Sequence, residues 1–222
     1  EMAMTPVYGL AECSVGLAFP PMGRGPLIDW IDRKAITTSG RAIPTRRSGA
    51  GTRRLVACGR PLPGHQIRIV DSAHRELPER HEGSLQFQGP SATSGYFRNP
   101  KETCRLFDGE WLESGDLAYI AGGDVYITGR SKDVIVRAGR NVYPDELEES
   151  VGKIDGIRKS NVAVFGSADR EAGTERLIVL AETRQRDTVA LTDLRAQVNA
   201  VVTDLIGGPP DDVVLAPPRT VP

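Results

Sequence analysis

Short apolar–polar alternations, each closed off by turn residues, set the tightest limit on what this chain can fold into. Gln66-Ile67-Arg68-Ile69-Val70 and Ser84-Leu85-Gln86-Phe87-Gln88 alternate in the manner of strands with one buried face, and Asp124-Val125-Tyr126-Ile127-Thr128 reads as another strand. The 222 residues include 24 glycines and 16 prolines, and aromatic residues make up only 5%. Elements should therefore be short and their cores aliphatic. At ~100–200 residues per domain, this length makes one domain or two small ones. Apolar residues at 39% and charged residues at 26% form an ordinary globular balance.

A formal charge of −1 lacks the basic footprint of a general nucleic-acid binder. No apolar run approaches the ~20 residues of a membrane span, and Glu1 to Pro6 carry neither the basic nor the apolar region of a signal peptide. A soluble, cytoplasmic protein is expected. Cys13, Cys58 and Cys104 are odd in number, widely spaced and outside any CxxC pattern, as befits reduced thiols. His65, His74 and His81 have no metal-motif spacing and read as surface-loop histidines.

Residues 1–57 read as irregular, with a Pro/Gly-rich stretch from Phe19 to Pro26 and a polar segment from Thr45 to Arg54. The four arginines of that segment lack interleaved aromatics, so a solvated loop is expected in preference to a phosphate or RNA contact. Asn99-Pro100-Lys101-Glu102 is a helix start, with Asn as cap and Pro at the first helical position. Beyond a boundary at Gly129 to Lys132, a strand is expected over Asp133 to Val136. A helix should open at Pro144 with acidic residues in its first turn. Strands are expected over Asn161 to Phe165 and Leu177 to Ala181. Thr192 is expected to cap a last helix, with Leu194, Val198, Val201 and Leu205 on one face and Gly207-Gly208 at its end. Without regular βαβ spacing, the last ~90 residues read as a compact α+β unit.

Three segments carry candidate chemistry. Tyr8-Gly9-Leu10-Ala11-Glu12 joins an aromatic face able to stack on a base to a carboxylate able to hold magnesium. Ser114-Gly115-Asp116 places a carboxylate after a turn at a strand's entrance, where it can accept from both hydroxyls of a ribose. Thr128 to Asp133, followed by Ala138 to Pro144, combines glycine pivots with cations suited to a nucleotide clamp. Each also has a structural reading: a surface glutamate, an aspartate closing its own turn, a charged hairpin connection.

In this order YGLAE, SGDLAY, and GRSKDVIV with GRNVYPDELE resemble the adenylate-forming superfamily of acyl-CoA synthetases, luciferases and nonribosomal adenylation domains. Asp32-Arg33-Lys34-Ala35, Gly40 to Pro44 and Cys58 to Gly64 look like the fatty-acyl-AMP ligase branch and its long-chain acyl-CoA synthetase relatives. The resemblance covers essentially the whole chain. It implies an α+β fold, with residues 1–129 as the distal part of the AMP-binding N-terminal domain, including a distorted antiparallel β-barrel. Residues 130–222 would be the small, mobile α+β C-terminal domain.

By the same resemblance Tyr8, beside Gly9, would stack on the adenine of ATP or AMP, and Glu12 would coordinate Mg2+. Asp116 and Arg130 would hold the ribose hydroxyls. Lys132 matches the hinge about which the C-terminal domain swings, and Asn141 sits in a glycine turn that faces the active site in one pose. Ala11 stands where many relatives have threonine, which removes a hydroxyl from the α-phosphate. The family's phosphate loop would lie upstream of Tyr8 and its catalytic lysine beyond Pro222, so the chain is expected to be a fragment, inactive alone. The implied activity is ATP-dependent conversion of a fatty acid to acyl-AMP for transfer to an acyl carrier protein thiol. The alternatives are a long-chain acyl-CoA synthetase fragment, with coenzyme A as acceptor, and a non-catalytic docking module for an acyl carrier protein. Neither a nucleic acid nor a membrane span is expected.

Overall fold

A computed structural model describes residues 4–46, 51–137, 139–169 and 174–221. Arg47 to Ala50 of the arginine-rich segment and Ala138 of the second glycine turn lie outside the described residues. The chain divides into two compact units, the first ending at Lys132 and the second beginning at Asp133.

Residues 1–57, expected to be irregular, instead contain β1 (Ala18–Phe19), β2 (Ile28–Asp32), α1 (Arg33–Ser39) and β3 (Thr52–Val56). Ile-Asp-Trp-Ile-Asp has no strict alternation; β2 becomes a strand through antiparallel pairing with β3, from Ile28 opposite Val56 to Asp32 opposite Thr52. The Asp32 carboxylate then accepts from Ala35 N–H at 2.7 Å and caps α1, which Gly40 closes at φ +65°. Two arginines of the supposed loop lie on β3. Arg53 is buried and donates to the Thr128 carbonyl at 2.6 Å, while the Arg54 guanidinium packs over Trp30. Pairing partners distant in sequence override the local polarity.

The strand β4 (Arg60–Pro61) pairs with β1. The main sheet comprises β5 (Gln66–Val70), β6 (Gly83–Gln88), β7 (Phe107–Asp108), β8 (Trp111–Ala121) and β9 (Asp124–Arg130), all pairs being antiparallel. The helix α2 (Pro100–Leu106) precedes β7, and the Asn99 carboxamide caps it by accepting from Glu102 N–H. Gly122 and Gly123 turn β8 into β9 at φ +60° and +79°, the left-handed pair that a tight hairpin needs. The expected Ser-Gly turn at a strand entrance is instead a bulge inside β8. Pairing with β6 steps from Ser84 opposite Leu117 to Gln86 opposite Glu113, with Gly115 at φ +78°. Leu17, Ile69, Leu85, Phe87, Leu112, Ala118 and Val125 form the core under this sheet. A second cluster around Ile31, Ile36, Leu55, Tyr119 and Tyr126 lies beneath β2 and β3. In it Tyr119 stacks on Tyr126 and donates to Asp29, which also accepts from Arg80 at 2.9 Å.

The second unit opens with a hairpin of β10 (Ile135–Arg137) and β11 (Arg140–Val142), so the strand expected from Asp133 begins two residues later. The helix α3 (Pro144–Val151) follows. The strands β12 (Ile157–Asp169) and β13 (Thr174–Thr183) form a long antiparallel pair. The helix α4 (Thr188–Ile206) crosses over to β14 (Asp212–Ala216), which lies parallel to β13. The irregular spacing had concealed this one βαβ crossover. Asp187, not Thr192, caps α4, accepting from Ala190 N–H at 2.9 Å. The first turn exposes Val189 and so carries no apolar stripe to announce it. Leu147, Val151, Leu177, Val179, Leu194, Val198 and Val202 pack the helices onto the sheet. No helix of the described residues is long and apolar enough to cross a membrane.

One buried carboxylate ties this unit together. Glu182 on β13 is fully buried, accepts from the N–H groups of Thr220 and Val221 at 2.7 and 2.9 Å, and pairs with Arg158. Burial by itself would raise its pKa; the two N–H groups and the guanidinium outweigh that and hold it below the ordinary glutamate value.

Two predictions follow from this packing. Trp30 and Trp111, the chain's two tryptophans, both lie in the first unit, so tryptophan emission reports on that unit. Leu85→Ala empties a fully buried position and is expected to cost about 2–5 kcal/mol, read as a lower urea midpoint of the emission transition; an unchanged midpoint contradicts this core. A carboxyl with a depressed folded pKa stabilises at pH values above the unfolded pKa, ~4.3, and loses that contribution as pH falls through the folded value. The thermal midpoint of the Glu182→Gln variant should thus be lower near neutrality and less sensitive to acid than that of the parent chain.

Candidate functional site

The loop bearing Tyr8 and Glu12 folds back onto β1. Tyr8 N–H donates to the Ala18 carbonyl at 3.0 Å, and the Tyr8 carbonyl accepts from Leu17 and Ala18. Gly9 is required by space: a Cβ there would lie 1.5 Å from the Val15 carbonyl oxygen. Ala11–Cys13 form a single 3-10 turn closed by Ser14 at φ +48°. Val15 follows at φ +75°, a conformation costly for a β-branched residue.

Tyr8 is buried, and its hydroxyl donates to Asp116 Oδ2 at 2.6 Å across 108 residues of sequence. Burial first, then this hydrogen bond, raise its pKa well above the ordinary tyrosine value. Asp116 stands just past the β8 bulge. Ser114 Oγ holds that bulge by donating to the Leu85 carbonyl at 2.8 Å and accepting from Asp116 N–H at 3.1 Å. Directly across the β8–β9 pair is Arg130, whose Nε lies 3.7 Å from Asp116 Oδ1 while its side chain stays largely exposed. Ser131 secures the end of β9 by donating through both N–H and Oγ to the Gly115 carbonyl at 2.9 Å. Tyr8, Asp116 and Arg130 therefore form one cluster: a buried phenol, a carboxylate with one oxygen engaged from inside, and an outer cation.

Glu12 turns to a different partner. Its Oε1 accepts from the Tyr96 hydroxyl at 2.7 Å, and its carbonyl accepts from Thr93 N–H at 2.8 Å. The bond to Glu12 is the main cause that pushes the Tyr96 pKa up to about 12. Glu12 remains partly exposed, a hard oxygen donor of the kind Mg2+ takes. Lys132 is exposed in the turn that ends the first unit. Asn141 lies on β11 of the second unit, opposite Val136. Sequence reasoning missed Tyr96, and it missed the fastening roles of Ser114 and Ser131, which lie within two of the candidate segments. Nothing local links Tyr96 to Glu12, 84 residues away, whereas the Ser-Gly pair before Asp116 was a usable bulge signal.

No family model matches the chain. It is 31% identical over 239 residues to the long-chain-fatty-acid–AMP ligase FadD26 of Mycobacterium tuberculosis, covering 99% of this chain and 40% of that protein. A solved structure from work on the fatty acyl-adenylate ligases of E. coli and L. pneumophila matches with a TM-score of 0.88 and 29% identity, over 98% of this chain and 38% of that one. The McyG A-PCP structure, complexed with phenylalanyl-adenylate, matches with a TM-score of 0.77 and 30% identity, over 100% and 36%. The chain spans 35–40% of the length of the curated relatives it matches. Its homologues and structural neighbours are thus fatty-acyl-AMP ligases and adenylation domains of the adenylate-forming superfamily, and it corresponds to a part of them.

Proposed function

We propose that this chain is part of an ATP-dependent ligase that converts a fatty acid to acyl-AMP and passes the acyl group to a carrier-protein thiol. The observation that carries the reading is the meeting of Tyr8, Asp116 and Arg130, brought by three separate segments to one cluster. Tyr8 fixes the Asp116 carboxylate by occupying Oδ2, leaving Oδ1 beside Arg130. That pair accepts from and donates to the hydroxyls of a ribose, the two roles a cis-diol requires. Residues 1–129 then form the distal AMP-binding domain, residues 130–222 the mobile domain, and Lys132 the hinge. This is supported by its exposed turn at the division between the two units. Asn141 belongs, on this reading, to the turn that the mobile domain presents to the active site.

A fatty carboxylate is a weak nucleophile, and the α-phosphate it attacks is shielded by negative charge. Mg2+ held by Glu12 would supply neutralisation of that charge. Tyr96, donating to Oε1, keeps the Glu12 carboxylate in one orientation. Coenzyme A as acceptor is the second reading, favoured by a relative named as a putative fatty-acid–CoA ligase.

Two measurements test this. With ATP, Mg2+ and a long-chain fatty acid, the isolated 222-residue chain should release no pyrophosphate, because it spans well under half of the homologous ligases; sustained release overturns the inactive-fragment reading. A non-hydrolysable acyl-adenylate analogue should bind the parent chain measurably. Asp116→Asn should weaken that binding about ten- to a hundredfold, the range for loss of a charge-assisted hydrogen bond. Equal affinity in the variant removes Asp116 from the nucleotide site.

A further inference from the structure

We propose that His74, Asp108 and Glu113 form a divalent-metal site of the zinc class on the main sheet of the first unit. None of the three takes part in the Tyr8–Asp116–Arg130 cluster, and the proposal does not depend on the ligase reading. The residues come from three places: the turn after β5, the two-residue strand β7, and the start of β8. One donor atom from each, the imidazole Nδ1 and two carboxylate oxygens, falls within 4.8 Å of the others. Nδ1 lies 2.9 Å from Asp108 Oδ2 and 3.5 Å from Glu113 Oε1. For metal–ligand bonds of ~2.0–2.2 Å, neighbouring donors of a tetrahedron or octahedron sit ~3.0–3.5 Å apart. The two edges that meet at His74 Nδ1 are thus close to those of a coordination face.

What surrounds the three residues supports ligation. Gln86 is fully buried in the central strand β6, directly opposite Glu113. Its Nε2 donates to both Asp108 and Glu113, and its Oε1 accepts from Arg68 Nε at 2.7 Å. Arg68 also donates to Asp108 and lies over the Trp111 ring, 4.3 Å from its centroid. These hydrogen bonds hold both carboxylates in place and fall on the oxygens that face His74, whose Nδ1 also lies 3.2 Å from Gln86 Nε2; an arriving ion would share or displace them. His74 is held in place too: it sits at φ +58° in a turn whose N–H groups at Ala73 and Arg75 are both taken by the Asp71 carboxylate. Gln86 closes the inner side of the cluster, and His74, 54% exposed, leaves the outer side open to water and to an entering ion. One imidazole with two carboxylates suits Zn2+ and its transition-metal neighbours, whereas Mg2+ and Ca2+ prefer all-oxygen sets. Spacing along the sequence hid this site because its carboxylates lie more than thirty residues from His74.

Calorimetric titration of Zn2+ into the 222-residue chain tests the proposal, in a Cys104→Ser background that removes the exposed thiol. One-to-one binding is expected, at least tenfold weaker in His74→Ala and in Glu113→Gln, with no comparable heat from Mg2+. Absence of one-to-one zinc binding, or an affinity unchanged in either variant, overturns the site. Circular dichroism melting checks that the variants fold. If His74→Ala does not fold, X-ray absorption on the zinc-loaded chain decides: an imidazole and oxygen shell supports the site, and a sulfur shell refutes it.

Discussion

Asp116 holds its position because β8 does not run straight. Gly115 adopts a left-handed conformation that any side chain would strain, and Ser114 fixes the resulting bulge from both ends, bonding Leu85 across the sheet and Asp116 along the strand. Had β8 continued in even register, alternation would have set which face each later side chain takes, with no freedom to aim Asp116 at Tyr8. The bulge also exposes the Gly115 carbonyl to the two donors of Ser131, which anchors the end of β9 and with it Arg130. One local irregularity thus places the carboxylate and anchors its outer cation, while the phenol comes from the loop that folds back onto β1.

Both units use buried polar groups as fasteners where aromatic bulk is scarce. Asp124, almost fully buried at the β8–β9 hairpin, takes a two-pronged contact from Arg24 at 2.7 and 2.8 Å. Asp29 joins Tyr119 to Arg80, and Arg53 reaches the Thr128 carbonyl. In the second unit Glu182 binds two backbone N–H groups of the segment after β14. Each such carboxylate is costly to bury and is retained because its partners are all present, so each joins segments that apolar contact alone would leave loosely registered. The Gln86 network has the same character: its amide joins Arg68 to Asp108 and Glu113.

The local elements were legible wherever short-range chemistry sufficed. Asn99-Pro100 announced α2, Pro144 with its acidic neighbours announced α3, and alternation announced β5 and β6. Failures came where partners were remote. β2 and β3 are strands because they pair with each other, not because either alternates; α4 begins a turn early because Asp187 caps it; and β13–α4–β14 is a crossover that spacing did not suggest.

By itself, the sequence determined the kinship, through an ordered set of short motifs, and the chemical types at Tyr8, Glu12, Asp116 and Arg130. Only the tertiary structure decided that Tyr8 bonds to Asp116, that Glu12 turns to Tyr96, and that His74 meets two carboxylates. The reason is physical: motif chemistry is local and survives as a string, whereas the orientation of a carboxylate depends on donors that chain folding brings from as far as a hundred residues away.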